Sequence, residues 1–468
     1  MGRVCGSHGE RDGSTLRAST EDSNVRKGGV LEQRLSRWQE IFLAVLAAVV
    51  TAAAARADET CMSPYMPKIT GQEDYVYVWT VGVEGVGDGS DKLVTVGANP
   101  TSPSYGKVIS SVSVGGRHEA HHGGFTDDRR YFWGGGLDDS MIYVFDLVPD
   151  PSHPKLVKTI DSFVSDSGGV AGPHTFYALP GRMLIPALSN KDHTGKTAFV
   201  EYSNDGTFIE TVWLPEKAEY GYDARVQPRL NRMLSSSFTG WNNYMRDFGA
   251  LVADAEAMKH FGNTMVLWDF HARKPIQVFD VPGAPLEIRW ALQPRHNYAF
   301  TTTALTSKIW LIAQQDDGSF TAKAVAAVGD PKSPPLPVDI SLSADDRFLF
   351  VDSFMDGTCR VYDVSDPNHP KQVLAQKIGA QVNMVSQTWD GKRVYFTSSL
   401  LANWDKKGKD NEQFLKAYGW DGKKLSPLFS IDFTTAGLGR PHHMHFGQDA
   451  FYKNQIYAAA PGPVARRH

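Results

Sequence analysis

The chain has 468 residues, with 48 Lys+Arg against 52 Asp+Glu, a formal net charge of −4 and only 3 Cys. Its 41% hydrophobic and 11% aromatic content is enough for a sizeable core and excludes global disorder. The charge balance leaves no basic footprint for nucleic acid. With so few cysteines and no CxxC pair, a disulfide scaffold, a zinc ribbon and a thioredoxin-like motif are also excluded.

The first forty residues mix both charges, and the run from Ile41 to Ala55 is apolar except for Thr51. That run is short for a bilayer span of about twenty residues but normal for the hydrophobic region of a signal peptide. Arg34 and Arg37 precede it, and Ala55-Arg56-Ala57 supplies a small-x-small cleavage pattern. The expectation is a leader over residues 1–57 (hydrophobic region 41–55) and a single exported domain over 58–468. An N-terminal membrane anchor is the alternative reading of the same run. The charged stretch before Arg34 fits either disorder or a translation start further downstream. Export removes Cys5, and Cys61 and Cys359 are compatible with one bridge or with two buried thiols.

From Asp74 onward, short β-branched and aromatic runs alternate with Gly, Asp, Asn and Pro. Tyr75–Trp79 and Met141–Phe145 come first, then Met265–Trp268, Lys308–Leu311 and Arg393–Phe396. One helix is predicted near Asp247–His260, where Ala, Leu, Glu, Met and Lys cluster. Strands at this spacing indicate a sandwich, barrel or propeller. An internal repeat decides among them. Thr126-Asp-Asp-Arg-Arg-Tyr-Phe132, Ile142–Leu147 and Asp150-Pro-Ser-His-Pro-Lys155 recur as Ala344-Asp-Asp-Arg-Phe-Leu-Phe350, Arg360–Val364 and Asp366-Pro-Asn-His-Pro-Lys371. The offsets are 218, 217 and 216 residues. Repeated hairpins with Pro-rich exits point to an all-β fold, a β-propeller of six to eight blades at about 40 to 60 residues each.

Fifteen histidines matter by their grouping. Arg117-His-Glu-Ala-His-His-Gly-Gly124, Gly172-Pro-His-Thr175 and Arg440-Pro-His-His-Met-His-Phe446 lie in Gly/Pro-flanked positions, which in a propeller converge on the central channel. Imidazole is the usual ligand for copper and zinc, so His121 and His122 with the C-terminal group form a candidate metal site. Met444 adds a soft ligand suited to Cu(I), or else a core residue. His153 and His369, in the repeated exit, are expected to be structural, as are the Asp pairs of the repeat turns. His118-Glu119-Ala-His-His122 mimics a zinc-protease motif, but that motif needs a helix and the flanking glycine pairs oppose one. There is no P-loop, no dinucleotide-binding glycine pattern and no nucleophile elbow.

These residues resemble the selenium-binding protein family, most closely its bacterial methanethiol oxidase branch. The resemblance spans the domain, from Glu59-Thr-Cys-Met-Ser-Pro-Tyr-Met-Pro67 through Glu119–Gly124, Pro173-His-Thr175, Gly221-Tyr-Asp223, Pro285-Leu-Glu-Ile-Arg289, Asp339–Arg347 and Asp390–Leu400 to His442–Phe446. It implies a seven-bladed β-propeller in the periplasm that uses copper to convert methanethiol, O2 and water into formaldehyde, hydrogen sulfide and hydrogen peroxide. His121, His122, His174 and His442 match family histidines and are the copper candidates, with His443 and His445 in reserve; many members carry Glu at the place of His443. Glu287 and Asp339, in matched motifs, are candidate proton acceptors. Two departures stand out. Gly106 occupies the place of a selenium-linked cysteine of animal members, and Leu292 stands where relatives often have His, with His296 four residues on. The rival reading is a non-catalytic propeller that binds a metal or a selenium compound. The resemblance leaves the oligomeric state open, including a homo-oligomer.

Overall fold

The computed structural model describes residues 62–67 and 72–454, all within one compact unit that starts at Arg56. The predicted leader and Cys61 lie outside the described residues. Seven antiparallel sheets form a seven-bladed β-propeller, as the repeat and the resemblance implied. Six blades take their strands in chain order from the channel outward. The first, for example, runs Ala120–Phe125, Tyr131–Gly136, Ile142–Asp146 and Lys155–Ile160. The seventh closes the ring: its inner strand, Arg440–Gly447, comes from the C-terminal end and pairs with Tyr75–Val81 from the other end of the domain. Closure of this kind ties the two ends of the domain together and leaves only the outermost strand of each blade with an open edge.

Burial follows position. The inner strands Ala120–Phe125, Pro285–Trp290 and Pro337–Leu342 are buried along their whole length, while the outermost strand Lys371–Lys377 alternates between half-buried and exposed. Neighbouring blades interlock through aromatic pairs such as Trp79–Phe145 (ring centroids 5.7 Å apart) and Phe199–Trp268 (5.1 Å). Each such pair is worth about 0.5–1.5 kcal/mol beyond its buried area.

The repeat turns are built as expected, with one refinement. Thr126 and Ser343 hydroxyls donate to Asp128 and Asp345, whose carboxylates also accept the backbone N–H of Arg130 and Arg347. Arg129 and Asp346 take the left-handed conformation, with φ of 58° and 59°. The turns therefore superpose at an offset of 217 residues rather than the 218 read by matching letters. His153 and His369 each bond an Asp three residues back, at 3.1 and 2.8 Å, and so serve the repeated exit. The predicted helix over Asp247–His260 is a difference: Phe248–Val252 is helical, but Asp254 turns the chain and only Ala257–Lys259 follows as a 3₁₀ turn. Asp254 Oδ1 accepts the N–H groups of Glu256 and Ala257, offering the backbone an alternative to continuing the helix.

Candidate metal centre

An ordinary strand alternates its side chains, so two consecutive residues cannot both face the channel. Four inner strands break that rule with a bulge at the same place. The register slips by one residue between Ala120 and Gly123, between Pro285 and Ile288, between Pro337 and Ile340, and at His442 opposite Trp79/Thr80. A bulge re-aims side chains, and here it turns adjacent residues inward: His121-His122, Leu286-Glu287, Val338-Asp339 and His442-His443. In the second blade the inner strand stops at Pro173 and resumes at Tyr177, and the interruption holds His174-Thr175. Gly124 is required where the first two blades meet, because a Cβ there would stand 2.1 Å from the Phe176 carbonyl oxygen.

Two layers of side chains result. The first runs around the ring as His121, His174, Tyr222, Leu286, Val338, Asn383 and His442; the second holds His122, Thr175, Asp223, Glu287, Asp339 and His443. Backbone bonds between blades show the equivalence of the second layer. Asp223 accepts the N–H of Ile288, Asp339 that of Val385, and His443 Nδ1 that of Gly123, at 2.9, 2.9 and 3.1 Å.

The histidines expected to meet do meet. Ring centroids are 3.8 Å apart for His121–His442, 4.1 Å for His122–His174 and 5.0 Å for His121–His174. Candidate ligand atoms of His121, His122 and His442 lie within 4.8 Å of one another, as do those of His122, His174 and Glu287. All are buried. Among the described residues, His174 Nε2, His442 Nε2, both nitrogens of His122 and Glu287 Oε1 have no hydrogen-bond partner, although burying an unsatisfied polar group is costly. Burial, reinforced by the other imidazoles, holds His121 and His122 well below the usual histidine range. Burial likewise lowers His174 and His442 to about 3, partly offset by Asp223 for His174 and by the Ser399 and Leu400 backbone for His442. Four neutral imidazoles, each with a buried nitrogen lacking a hydrogen-bond partner, are the donor set that copper or zinc accepts, so these residues fit a metal ion.

Their orientation is fixed from behind. The Thr175 hydroxyl donates to Asp223 Oδ1 at 3.1 Å and so presents a lone pair to His174 Nδ1 at 3.2 Å. This arrangement puts the imidazole proton on Nδ1 and leaves Nε2 for the centre. Asn383 lies 3.2 Å from His442 Nδ1. The two carboxylates differ. Glu287 Oε2 accepts Arg225 (3.1 Å) and Arg289 (2.9 Å), while Oε1 stands 3.7 Å from His122 Nε2. Burial opposes its charge, but the two guanidiniums prevail and keep it below the usual carboxylate range. Asp339 is committed to Arg289, Ile340 N and Val385 N, away from the imidazoles. Burial raises it to about 7, with Glu287 adding to the shift and Arg289 opposing it.

The reserve residues brace the blades, and His443 also stacks on His122 with ring centroids 4.4 Å apart. His443 uses Nδ1 on Gly123 N–H, and His445 Nε2 donates to Gly123 O at 2.9 Å. Met444 is fully buried in the core, opposite Val78. His296 bonds Asp346 at 2.7 Å on a half-exposed loop, apart from the cluster. Sequence reasoning assigned no role to Tyr222, whose ring lies 3.8 Å from that of His174, nor to Thr175 and Asn383. Aligning the inner strands as Pro-x-polar units (Pro173-His-Thr, Pro285-Leu-Glu, Pro337-Val-Asp, Pro441-His-His) would have found Thr175, whereas Tyr222 and Asn383 follow Gly221 and Val382 and carry no such signal.

Above the first layer, a small cavity is lined by His121, Tyr222, Leu286 and Val338 and otherwise by hydrocarbon and aromatic side chains. The centre thus has imidazole on one side and an apolar wall on the other.

Comparison with known proteins agrees with this architecture. The family description "56kDa selenium binding protein (SBP56)" matches residues 55–450. A Ruegeria pomeroyi protein named methanethiol oxidase is 61% identical over 413 residues, covering 85% of this chain and 95% of that protein. A Hyphomicrobium methanethiol oxidase is 60% identical over 395 residues, covering 83% and 90%. A solved structure described as a hypothetical selenium-binding protein from Sulfolobus tokodaii has a TM-score of 0.72 at 25% identity, covering 83% of this chain and 97% of that one. This chain therefore belongs to the 56 kDa selenium-binding protein family.

Proposed function

We propose that this protein is a copper-dependent methanethiol oxidase of the periplasm, with its leader cleaved near Ala57. The observation that carries the reading is the set of buried imidazoles with unpartnered nitrogens beside an apolar cavity. The names of the bacterial relatives support the same activity. The overall reaction balances with one methanethiol, one O2 and one water giving one formaldehyde, one hydrogen sulfide and one hydrogen peroxide. Carbon loses two electrons and O2 gains two electrons and two protons; water supplies the aldehyde oxygen and sulfur leaves as sulfide.

His121, His122, His174 and His442 would hold the copper. Bound there, copper supplies one-electron redox chemistry and a positive charge that acidifies a thiol. The chain does the rest. The Asp223–Thr175 pair keeps the His174 Nε2 lone pair aimed inward. Glu287 Oε1 is the ionised carboxylate oxygen beside the imidazoles and takes the thiol proton. Asp339 acts through Arg289, which it shares with Glu287, and so tunes the charge of that base. The walls of Leu286 and Val338 exclude water.

The test is to follow sulfide and peroxide release together from methanethiol, using copper-loaded and copper-stripped protein. Equal release that disappears on stripping and returns with copper supports the reading. Copper bound tightly without turnover would leave a metal-binding propeller.

A further inference from the structure

The first layer of the channel is divided by chemistry. Three blades in succession contribute His442, His121 and His174; the next three contribute Tyr222, Leu286 and Val338. Behind the second half lies the small cavity, whose remaining walls are Ala304 and Leu336. Its roof comes from two excursions of the chain between strands, residues 236–263 and 398–413. Phe238 comes from the first, and Leu400, Leu401 and Trp404 from the second.

The roof is fastened rather than draped. The Trp404 ring packs 5.8 Å from Phe238 and 5.0 Å from Phe248. Asn403 donates to the Met245 carbonyl at 2.8 Å, and Lys407 pairs with Asp247 at 2.7 Å. From the channel side, Glu119 Oε1 accepts the Ala402 N–H at 2.7 Å. Trp404 Nε1 is buried without a hydrogen-bond partner among the described residues.

We propose that this cavity is an apolar ligand chamber that receives the alkyl group of the thiol, and that Leu336 and Ala304 set the longest chain admitted. The assignment rests on the oxidase reading above for its substrate class. A small alkyl thiol suits the walls because a sulfhydryl is a weak hydrogen-bonding group, so little is lost when it leaves water. An amino-acid or peptide thiol does not suit them: its charged groups would be buried against Leu286 and Val338 without partners. Leu336 is the informative wall residue. It sits at φ 57°, immediately before Pro337, a conformation that suits glycine and strains leucine. Glycine at this position would enlarge the chamber while relieving the backbone.

The experiment uses two variants, Leu336→Gly and Ala304→Leu, with two readouts. The first is kcat/KM of the copper-loaded protein for methanethiol, ethanethiol and propanethiol. The second is xenon binding by the metal-free protein, which reports an apolar cavity without any turnover. The expected result is a preference for methanethiol in the parent protein. Leu336→Gly should raise the propanethiol-to-methanethiol ratio by about tenfold or more, since one methylene is worth roughly 10–200-fold in such a pocket. Leu336→Gly should also bind xenon where the parent protein does not, and Ala304→Leu should lower kcat/KM for all three thiols. Turnover with chain-length ratios unchanged in both variants overturns the chamber and leaves the oxidase standing. If the parent protein turns over no thiol, the oxidase reading fails, and xenon alone judges the chamber: no binding gained in Leu336→Gly overturns it.

Discussion

Replacing Thr175 by Val removes one hydroxyl and almost no volume, and isolates what orients the centre. That hydroxyl bridges Asp223 Oδ1 (3.1 Å) and His174 Nδ1 (3.2 Å), and Asp223 keeps the N–H groups of Ala224 and Ile288 and the Arg225 guanidinium as partners. The carboxylate therefore remains satisfied, while the imidazole loses its acceptor in a fully buried position. Leaving a buried donor unmet costs about 1–3 kcal/mol, which the metal-free protein should show as a lower urea midpoint at unchanged slope. His174 is also free to put its proton on Nε2. Losing such a supporting bond typically weakens metal binding about 10–100-fold, or about 1.4–2.7 kcal/mol. Competition titration with a Cu(I) chelator measures that directly. Thr175→Ser, which keeps the hydroxyl, should restore most of the affinity. Equal copper affinity in the Val variant and the parent would refute the argument that Thr175 fixes the His174 tautomer.

Three further outcomes follow from the same geometry. The metal-free protein should lose stability in mild acid. His174 and His442 titrate near 3 in the fold and near 6.5 when unfolded, so the unfolded chain binds more protons between those values. Stability then falls as pH drops from 7 to 5, by about 2 kcal/mol per imidazole, and Asp339, held near 7 in the fold, returns about 2 kcal/mol over the same interval, so the net change is a loss; identical urea midpoints at pH 7 and pH 5 would contradict this. His443→Glu should leave the thermal midpoint nearly unchanged, because a carboxylate can accept the Gly123 N–H that His443 Nδ1 now accepts. His443→Ala should cost about 1–3 kcal/mol for the orphaned amide, read by calorimetry. Glu287→Gln keeps the shape facing Arg225 and Arg289 but removes the base; kcat for methanethiol should fall about 10²–10⁴-fold while bound copper, measured by atomic absorption, is retained. Full activity in that variant would remove Glu287 from the reaction.

Much of the protein is written along the chain. Period-two strands, Asp-centred turns and the duplicated Asp-Pro-x-His-Pro-Lys exits belong to local chemistry, and together they specify hairpins repeated around a ring. The histidine groups were legible too, because runs such as His121-His122 and His442-His443 stand out in any reading. Which histidine does what was not legible. Adjacent residues on a strand normally face opposite ways, and only the bulges of the inner strands bring both members of each pair into the channel. The same device makes His443 a brace on Gly123 and leaves His442 facing the centre, a distinction that depends on the neighbouring blade. Asp339 and Glu287 look alike in sequence, yet Glu287 meets its two guanidiniums with one oxygen and keeps the other at the imidazoles, while Asp339 is taken up by Arg289 and backbone amides. The apolar chamber draws on residues from Tyr222 to Trp404 across two excursions, and no local pattern foretells which hydrocarbon side chains will line a cavity and which will fill a core. Sequence determined the blades and the donors because those depend on nearest neighbours. Tertiary structure decided the site because seven strands must converge before any side chain has a partner across the channel.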